Sequence, residues 1–354
     1  MPSVWQEKGG DSMKNFALPI IGVPGAGGGD TSALEEKIDQ VKDTLTKSDA
    51  KIRESLKEQK DALESEISAL KDELASFDKI KWQLTTPLIL LNVGDAATVT
   101  FNSPNAQART VEYAVVSDFT DGGAEEYNFG AVKYTSYQLP ANGKCSLNIP
   151  KGSALFLKSN STKRWGWTTD ASFVFSGGDF HAQGKLIALQ GGKENPTSYC
   201  FYYIFRDCVA LTDASHLVMP EIPCDCNGMF RGCTNLVKAP GTLYAISDSS
   251  EYAYGCYQEM FMGCTSLEKA PDLLSKKLPY ADNRTYNNMF RNCSKLNYVK
   301  AMFIDIPSDT GNNTFDQWLS GVAATGTFVK SKDATWADDD ATVGIPSGWT
   351  IEKV

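Results

Sequence analysis

The chain has 354 residues, 42% of them hydrophobic and 22% charged, and a net charge of −9. That composition belongs to a folded protein large enough for two or three domains. The acidic balance leaves no basic footprint for nucleic acid or anionic membrane. No apolar run reaches the length of a membrane span, about 20 residues.

Residues 1–31 are apolar, rich in Gly and Pro, and end in "GVPGAGGGD". They read as an extended docking segment, Phe16, Ala17, Leu18, Pro19, Ile20 and Ile21, followed by a glycine hinge. A phosphate loop is excluded because no lysine follows the last glycine. Pro19 and Pro24 break the apolar core of 14–29, so it lacks the shape of a secretory signal. Without such a signal the chain folds in a reducing cytosol. Nine cysteines, an odd number, fit free buried thiols there better than a disulfide framework.

Residues 32–81 predict a long helix, opened by a capping box of Ser32 and Glu35 and free of Gly and Pro as far as Phe77. Apolar residues recur in heptad spacing at Leu34, Ile38, Val41, Leu45 and Ile52. They resume in a register shifted by one at Leu56, Leu63, Ile67, Leu70, Leu74 and Phe77. A helix of about 70 Å with so narrow a seam predicts self-association. Ile and Leu are mixed at both core positions with no buried Asn, which favours a homotrimeric parallel coiled coil.

Over residues 82–189 the period becomes alternating. Strands are expected at 97–103, 111–119, 144–150 and 153–159, with strand-like pairing continuing through "FVFSGGDF" and "GKLIAL". Turn clusters between them predict a small antiparallel β-sandwich. Trp165 and Trp167 around Gly166 fit either a sugar-stacking platform or core, and core is the commoner place for large aromatics.

Residues 190–305 spell one pattern four times: "IFRDCVAL", "MFRGCTNL", "MFMGCTSL" and "MFRNCSKL". Phe, Cys and Leu fall three apart in Phe205, Cys208, Leu211; Phe230, Cys233, Leu236; Phe261, Cys264, Leu267; and Phe290, Cys293, Leu296. Successive Phe residues are 25, 31 and 29 positions apart. Period three fits a tight helical turn running into a strand. A unit this short cannot bury its own apolar face, so it stacks on copies of itself and forms ladders of Phe, Cys and Leu. The insert "YAISDSSEYAYG" interrupts the regularity at 244–255.

Phe-x-x-Cys-x-x-Leu followed by "VKAP" or "EKAP" resembles the BspA-type leucine-rich repeat of bacterial surface proteins. The ending, "LNYVKAMF", "WLSGVAATGTFVKSKDATW" and "GIPSGWTIEKV", resembles the closing cap of such arrays in gut Bacteroides and their phages. The likeness covers about residues 184–354, with 306–354 as the capping unit. It implies adhesion and surface recognition, and it brings no catalytic motif.

The residues themselves also predict no enzyme. His181 and His216 lack a zinc or triad context, and Cys224, Cys226 and Cys233 match no zinc spacing. "WADDDA" lacks the glycine and alternate ligands of a calcium loop. No metal and no cofactor are therefore expected. The residues after each Phe are Arg206, Arg231, Met262 and Arg291, which stack like charges along one face. Either nearby acids such as Asp207 and Asp225 compensate them, or an acidic polysaccharide does, with help from Tyr202, Tyr203, Tyr257 and Tyr286.

The expected class is thus mixed and multidomain: a trimeric N-terminal coiled coil, a small antiparallel β-sandwich, and a C-terminal BspA-like leucine-rich repeat array with a cap. Anchor, stalk and recognition head in that order are the layout of a virion fibre, assembled in the host cytoplasm. The expected role is a bacteriophage head fibre or capsid decoration protein. Its N-terminus meets a capsid or other virion protein, and its C-terminal domain meets host-surface polysaccharide or protein. No nucleic acid and no membrane insertion are expected. A tail fibre, a bacterial surface adhesin and a glycan depolymerase stay open as alternatives.

Overall fold

The computed structural model describes residues 31–84, 86–103, 107–159, 164–166, 170–191, 200–220, 226–243, 255–276, 278, 284–306 and 313–354. The docking residues Phe16, Ala17, Leu18, Pro19, Ile20 and Ile21, the glycine hinge, and Trp167, Cys224 and Asp225 lie outside the described residues. So does nearly all of the insert. The chain divides into two compact units, with the boundary between Leu74 and Ala75.

A single helix, α1, spans Ser32–Leu84. It lacks Gly and Pro and is rich in Leu, Ala, Glu and Lys, the residues that lose least on entering a helix. Asp43–Lys47 at 2.6 Å and Asp49–Arg53 at 2.8 Å link successive turns. Its seam residues Leu34, Ile38, Val41, Leu45, Ile52, Leu56, Leu63, Ile67 and Leu70 are all exposed. The side chains of Leu74 and Phe77 fall outside the described residues. The expected fold class needs correction here. The chain is mostly β with one N-terminal helix, not a coiled coil joined to separate domains. A heptad-like stripe reports only that a helix has an apolar side, and one chain supplies one such helix.

Eight strands follow: β1 Leu88–Asn92, β2 Ala97–Asn102, β3 Arg109–Val116, β4 Thr135–Leu139, β5 Lys144–Ile149, β6 Ala154–Lys158, β7 Phe173–Ser176 and β8 Phe180–Lys185. β5-β2-β7 form a three-stranded antiparallel sheet. The second sheet runs β4-β3-β6-β1-β8 and continues into β9, Leu211–Val218, which pairs with β8 in parallel. Leu88, Leu90, Leu155 and Leu157 share a core with Val99 and Phe101 of the smaller sheet. On the other face, Ile89, Leu91 and Phe156 are covered by Phe119 and Phe129. Strands β1 and β6 are therefore buried on both faces, which explains their continuous apolar spelling. The strand expected at "GKLIAL" is instead the end of β8 and a short helical turn, Leu186–Gln190.

From β9 onward the chain is a β-solenoid. Its later rungs carry β10 Thr242–Leu243, β11 Asp272–Leu273, β12 Tyr298–Ala301, β13 Gly326–Lys330 and β14 Trp349–Lys353, each parallel to the next. Bridges Asp213–Lys238, Lys238–Lys269 and Lys269–Tyr298 continue the ladder between β9 and β12. The repeats thus stack as parallel rungs that share one core with the sheets before them.

The repeated letters now have a cause. Phe205, Phe230, Phe261 and Phe290 stack with centroids 5.3–5.6 Å apart, and Phe173 extends the pile at one end. Each thiol donates to the carbonyl of the preceding rung's Phe. Cys208 reaches Phe173, Cys233 reaches Phe205 and Cys293 reaches Phe261, each at 3.0 Å, and Cys264 reaches Phe230 at 3.1 Å. Amides point the opposite way, as from Phe230 to Met260 O and from Phe261 to Met289 O, both 2.9 Å. Two left-handed residues per turn aim them along the stack. Tyr203, Glu259, Asn288 and Gln317 fill the first such position and Asp207 and Asn292 the second, with φ of 51–63°. Residues 314–321, "TFDQWLSG", form a fifth turn: the Phe290 amide donates to Trp318 O and the Asn292 amide to Ser320 O.

Burial pushes the Cys293 thiol up to about 12 and raises those of Cys208, Cys233 and Cys264 as well. Alkylation at about pH 9, where an unburied thiol is mostly thiolate, should be slow in the folded chain and fast after denaturation. Rapid native labelling of the four ladder cysteines would contradict the ladder.

Candidate functional site

The residue after each ladder Phe lies outside the buried core. Arg206, Arg231 and Arg291 are partly exposed, and Met262 fills the remaining rung. Arg206 donates from Nε to Asp207 Oδ2 at 3.2 Å and lies 5.2 Å over the Tyr203 ring. Arg231 donates from Nη1 to Glu259 Oε2. Arg291 donates from Nη1 to the neutral Asn288 Oδ1 at 3.3 Å. No carboxylate within ion-pair distance of Arg291 is found among the described residues. Two of the three charges are locally balanced and one is not.

Glu259 organises this face. It stands in the left-handed column, φ 55°, and also accepts from the Tyr203 hydroxyl at 3.5 Å. Tyr203 belongs to the first turn and Glu259 to the third, and the ring crosses the intervening rung because that rung is Gly228. A Cβ on Gly228, itself at φ 57°, would sit 2.0 Å from the ring. Burial, then the Glu259 charge, hold the Tyr203 phenol above its ordinary value. Tyr202 is half-buried, its ring 5.2 Å from Tyr203 in edge contact.

Tyr257 and Tyr286 are corrected from ligand contacts to core. Both are at most 2% exposed, and their rings stack at 6.3 Å and 9° inside the solenoid. Burial pushes the Tyr286 phenol up to about 12. The reason is register: they occupy the column that continues into Phe315, 5.9 Å from Tyr286. Trp165 is also core, at 0% exposure and stacked on Phe173 at 5.7 Å.

Other candidate chemistry resolves into structure. The acidic run near the C-terminus is a turn tied down by Lys330, which donates to Trp336 O at 2.7 Å and Asp338 Oδ1 at 2.9 Å. His181 Nδ1 lies 2.9 Å from Asp121 Oδ2, and Gln183 donates to Asp121 Oδ1 at 2.7 Å. Among the described residues no set of three His, Cys, Asp or Glu is placed to hold a metal ion. Among them, too, no helix is long and apolar enough to cross a membrane.

The column runs into a cleft of about 740 Å³ where the three-stranded sheet meets the first turn, with Arg206 and Asp207 forming one wall. Asn102, Lys144 and Asp170 form the other, and sequence reasoning did not single them out. Glu259 was missed as well, because it lies 28 residues from its Arg231 partner. No protein-family model, no curated protein and no solved structure matches this chain.

Proposed function

We propose that the chain is a structural, non-enzymatic virion fibre of a bacteriophage, a head fibre or capsid decoration protein whose repeat turns bind acidic host-surface polysaccharide. The arginine column carries this reading. Arg206 and Arg231 stand on rungs whose Phe rings are 5.6 Å apart and are paired with Asp207 and Glu259, whereas Arg291 bonds only the neutral Asn288. A polyanion supplies the carboxylate that Arg291 lacks and passes the partly exposed Arg231 and Arg206 on the same side of the stack. Arginine suits the task because its planar fork binds carboxylates through two donors.

The proposal includes assembly as a homotrimer, attachment of residues 1–30 to a capsid or other virion protein, and the BspA-type likeness of the repeats. Self-association is supported by the nine exposed apolar seam residues of α1, a patch that a lone helix leaves in water.

The test uses the purified full chain and its Arg206→Ala, Arg231→Ala, Arg291→Ala triple variant. Both should scatter light as three copies of 38.6 kDa. The variant should bind polyuronate about tenfold more weakly at low ionic strength, an effect of about 1.4 kcal/mol that shrinks as salt is added. Unchanged binding would overturn the polyanion reading, and a monomeric mass would overturn the trimer.

A further inference from the structure

The stack of turns ends one turn before the strands do. β14 adds a strand beyond β13, but no sixth turn precedes it. The intervening chain passes the fifth turn instead, where Trp318 Nε1 donates to Val343 O at 2.6 Å. In each earlier turn alternate amides reach the next turn. Those of Tyr286, Asn288, Phe290 and Asn292 donate to Thr314 O at 3.1 Å, Asp316 O at 2.8 Å, Trp318 O at 2.9 Å and Ser320 O at 2.7 Å. Their counterparts in the fifth turn, Phe315, Gln317, Leu319 and Gly321, meet no acceptor among the described residues. The amides between them are used within the turn: Asp316 to Asn313 O, Trp318 to Phe315 O and Ser320 to Gln317 O. Gln317 and Gly321 keep the left-handed φ of their positions, 51° and 76°, so by register the unused donors point along the stack, away from the fourth turn.

A cleft of about 510 Å³ lies at this end, with Asp316, Gln317, Leu319 and Ser320 on one side and Thr342 and Gly344 on the other. An open edge of this kind is a template for another backbone. Its polarity is one-sided. It offers donors, so it matches carbonyls, and the complement repeated throughout this molecule is another turn of the same form. A β-strand fits poorly, because its edge alternates N–H with C=O. Asp316 adds a charge preference. The corresponding residues of earlier turns are the neutral Asn227, Gln258 and Asn287, whereas Asp316 is exposed and has no ion-pair partner among the described residues. Among the described residues no Lys or Arg lines the cleft, so a free anion meets Asp316 without a balancing cation.

We infer that the open end of the solenoid receives a basic peptide segment of a partner protein, seated as a sixth turn. Carbonyls of the segment accept from the Gln317 and Leu319 amides, and a Lys or Arg side chain meets Asp316. This surface is separate from the arginine column and does not depend on its acidic ligand.

The test uses the full chain and, as probe, a synthetic peptide of the fourth turn's own sequence, RTYNNMFRNCSKL, kept reduced. The peptide should bind, and a version with its two Arg and one Lys replaced by Gln should bind at least about tenfold more weakly. Asp316→Lys, which reverses the charge, and Thr342→Trp, which fills the cleft from the opposite wall, should each weaken the basic peptide by a similar factor. Both replace exposed side chains, and either one decides the matter once its unfolding curve matches the parent. The Arg206→Ala, Arg231→Ala, Arg291→Ala triple variant should bind the peptide as the parent does. Residue-resolved hydrogen exchange should show the Gln317 and Leu319 amides exchanging fast in the free chain, unlike those of Asn288 and Phe290, and slowing at least about tenfold with peptide bound. No peptide binding, binding that Asp316→Lys leaves unchanged, or amides already protected in the free chain would overturn the inference. Slowing by sulfate but not by the peptide would overturn it too, in favour of a bare anion site.

Discussion

Phe230→Ala should lower the unfolding free energy by about 3–5 kcal/mol, the range for emptying a buried aromatic site. Phe230 is fully buried, with Phe205 at 5.6 Å on one side and Phe261 at 5.3 Å on the other. Removing the ring leaves a gap between two flat neighbours that cannot close, because main-chain bonds on both sides fix the rung spacing. The Phe205 amide donates to Met229 O at 3.0 Å on one side, and the Phe230 amide donates to Met260 O at 2.9 Å on the other. Total stabilities run about 5–15 kcal/mol, so the loss would be a large share. Phe230→Leu, which refills most of the volume, should cost clearly less. Denaturant unfolding measures both, and an Ala cost below about 1 kcal/mol would mean that the stack is not load-sharing.

The second large effect is expected at Gly184→Val, where the sheets pass into the solenoid. Gly184 lies on β8, opposite Leu88 of β1 on one side and Leu217 of β9 on the other. Its φ is +73°, and an added Cβ would fall 2.1 Å from Pro87 O and 3.2 Å from Ile89 Cδ1. Backbone strain of about 1–3 kcal/mol and overpacking of similar size should sum to about 2–6 kcal/mol. Because one core joins the sheets to the solenoid, far-ultraviolet circular dichroism and tryptophan fluorescence should lose signal together. Two separated transitions, or a cost near zero, would show that the junction does not couple them.

How far the sequence disclosed this fold differs from element to element. Four spelled repeats announce a stack because Phe, Cys and Leu each meet their own kind on the next rung. The fifth turn escaped notice because Trp318, Leu319 and Val322 stand where the other turns have Met or Ile, Phe and Cys. A second column was also legible in principle. Phe201, Cys226, Tyr257, Tyr286 and Phe315 stand at one position of successive turns, and the amides of Cys226, Tyr257 and Tyr286 donate to Cys256 O at 2.8 Å, Thr285 O at 3.2 Å and Thr314 O at 3.1 Å. Strand β1, "LILLN", gave no alternating signal because both its faces are covered. The helix was legible from its composition, whereas a bundle of such helices is a property of several chains that one chain's fold does not contain.

The candidate site divides the same way. The arginine column follows from period alone, since one residue per turn must point outward. Its balance does not: Glu259 reaches Arg231 through stacking register, and the insert at 244–255 makes that register impossible to count from sequence. Tyr257 and Tyr286 were misplaced for a related reason. Proximity to a turn in sequence does not decide which side of the coil a ring faces, and their stacking partners lie one rung away.

The most direct test of the fibre reading is immunogold electron microscopy on purified phage particles and on intact cells from the culture that makes the chain. Antibody raised against residues 82–354 should place gold on the particle surface, on the capsid for a head fibre. Gold confined to the cells, with particles bare, would contradict the account.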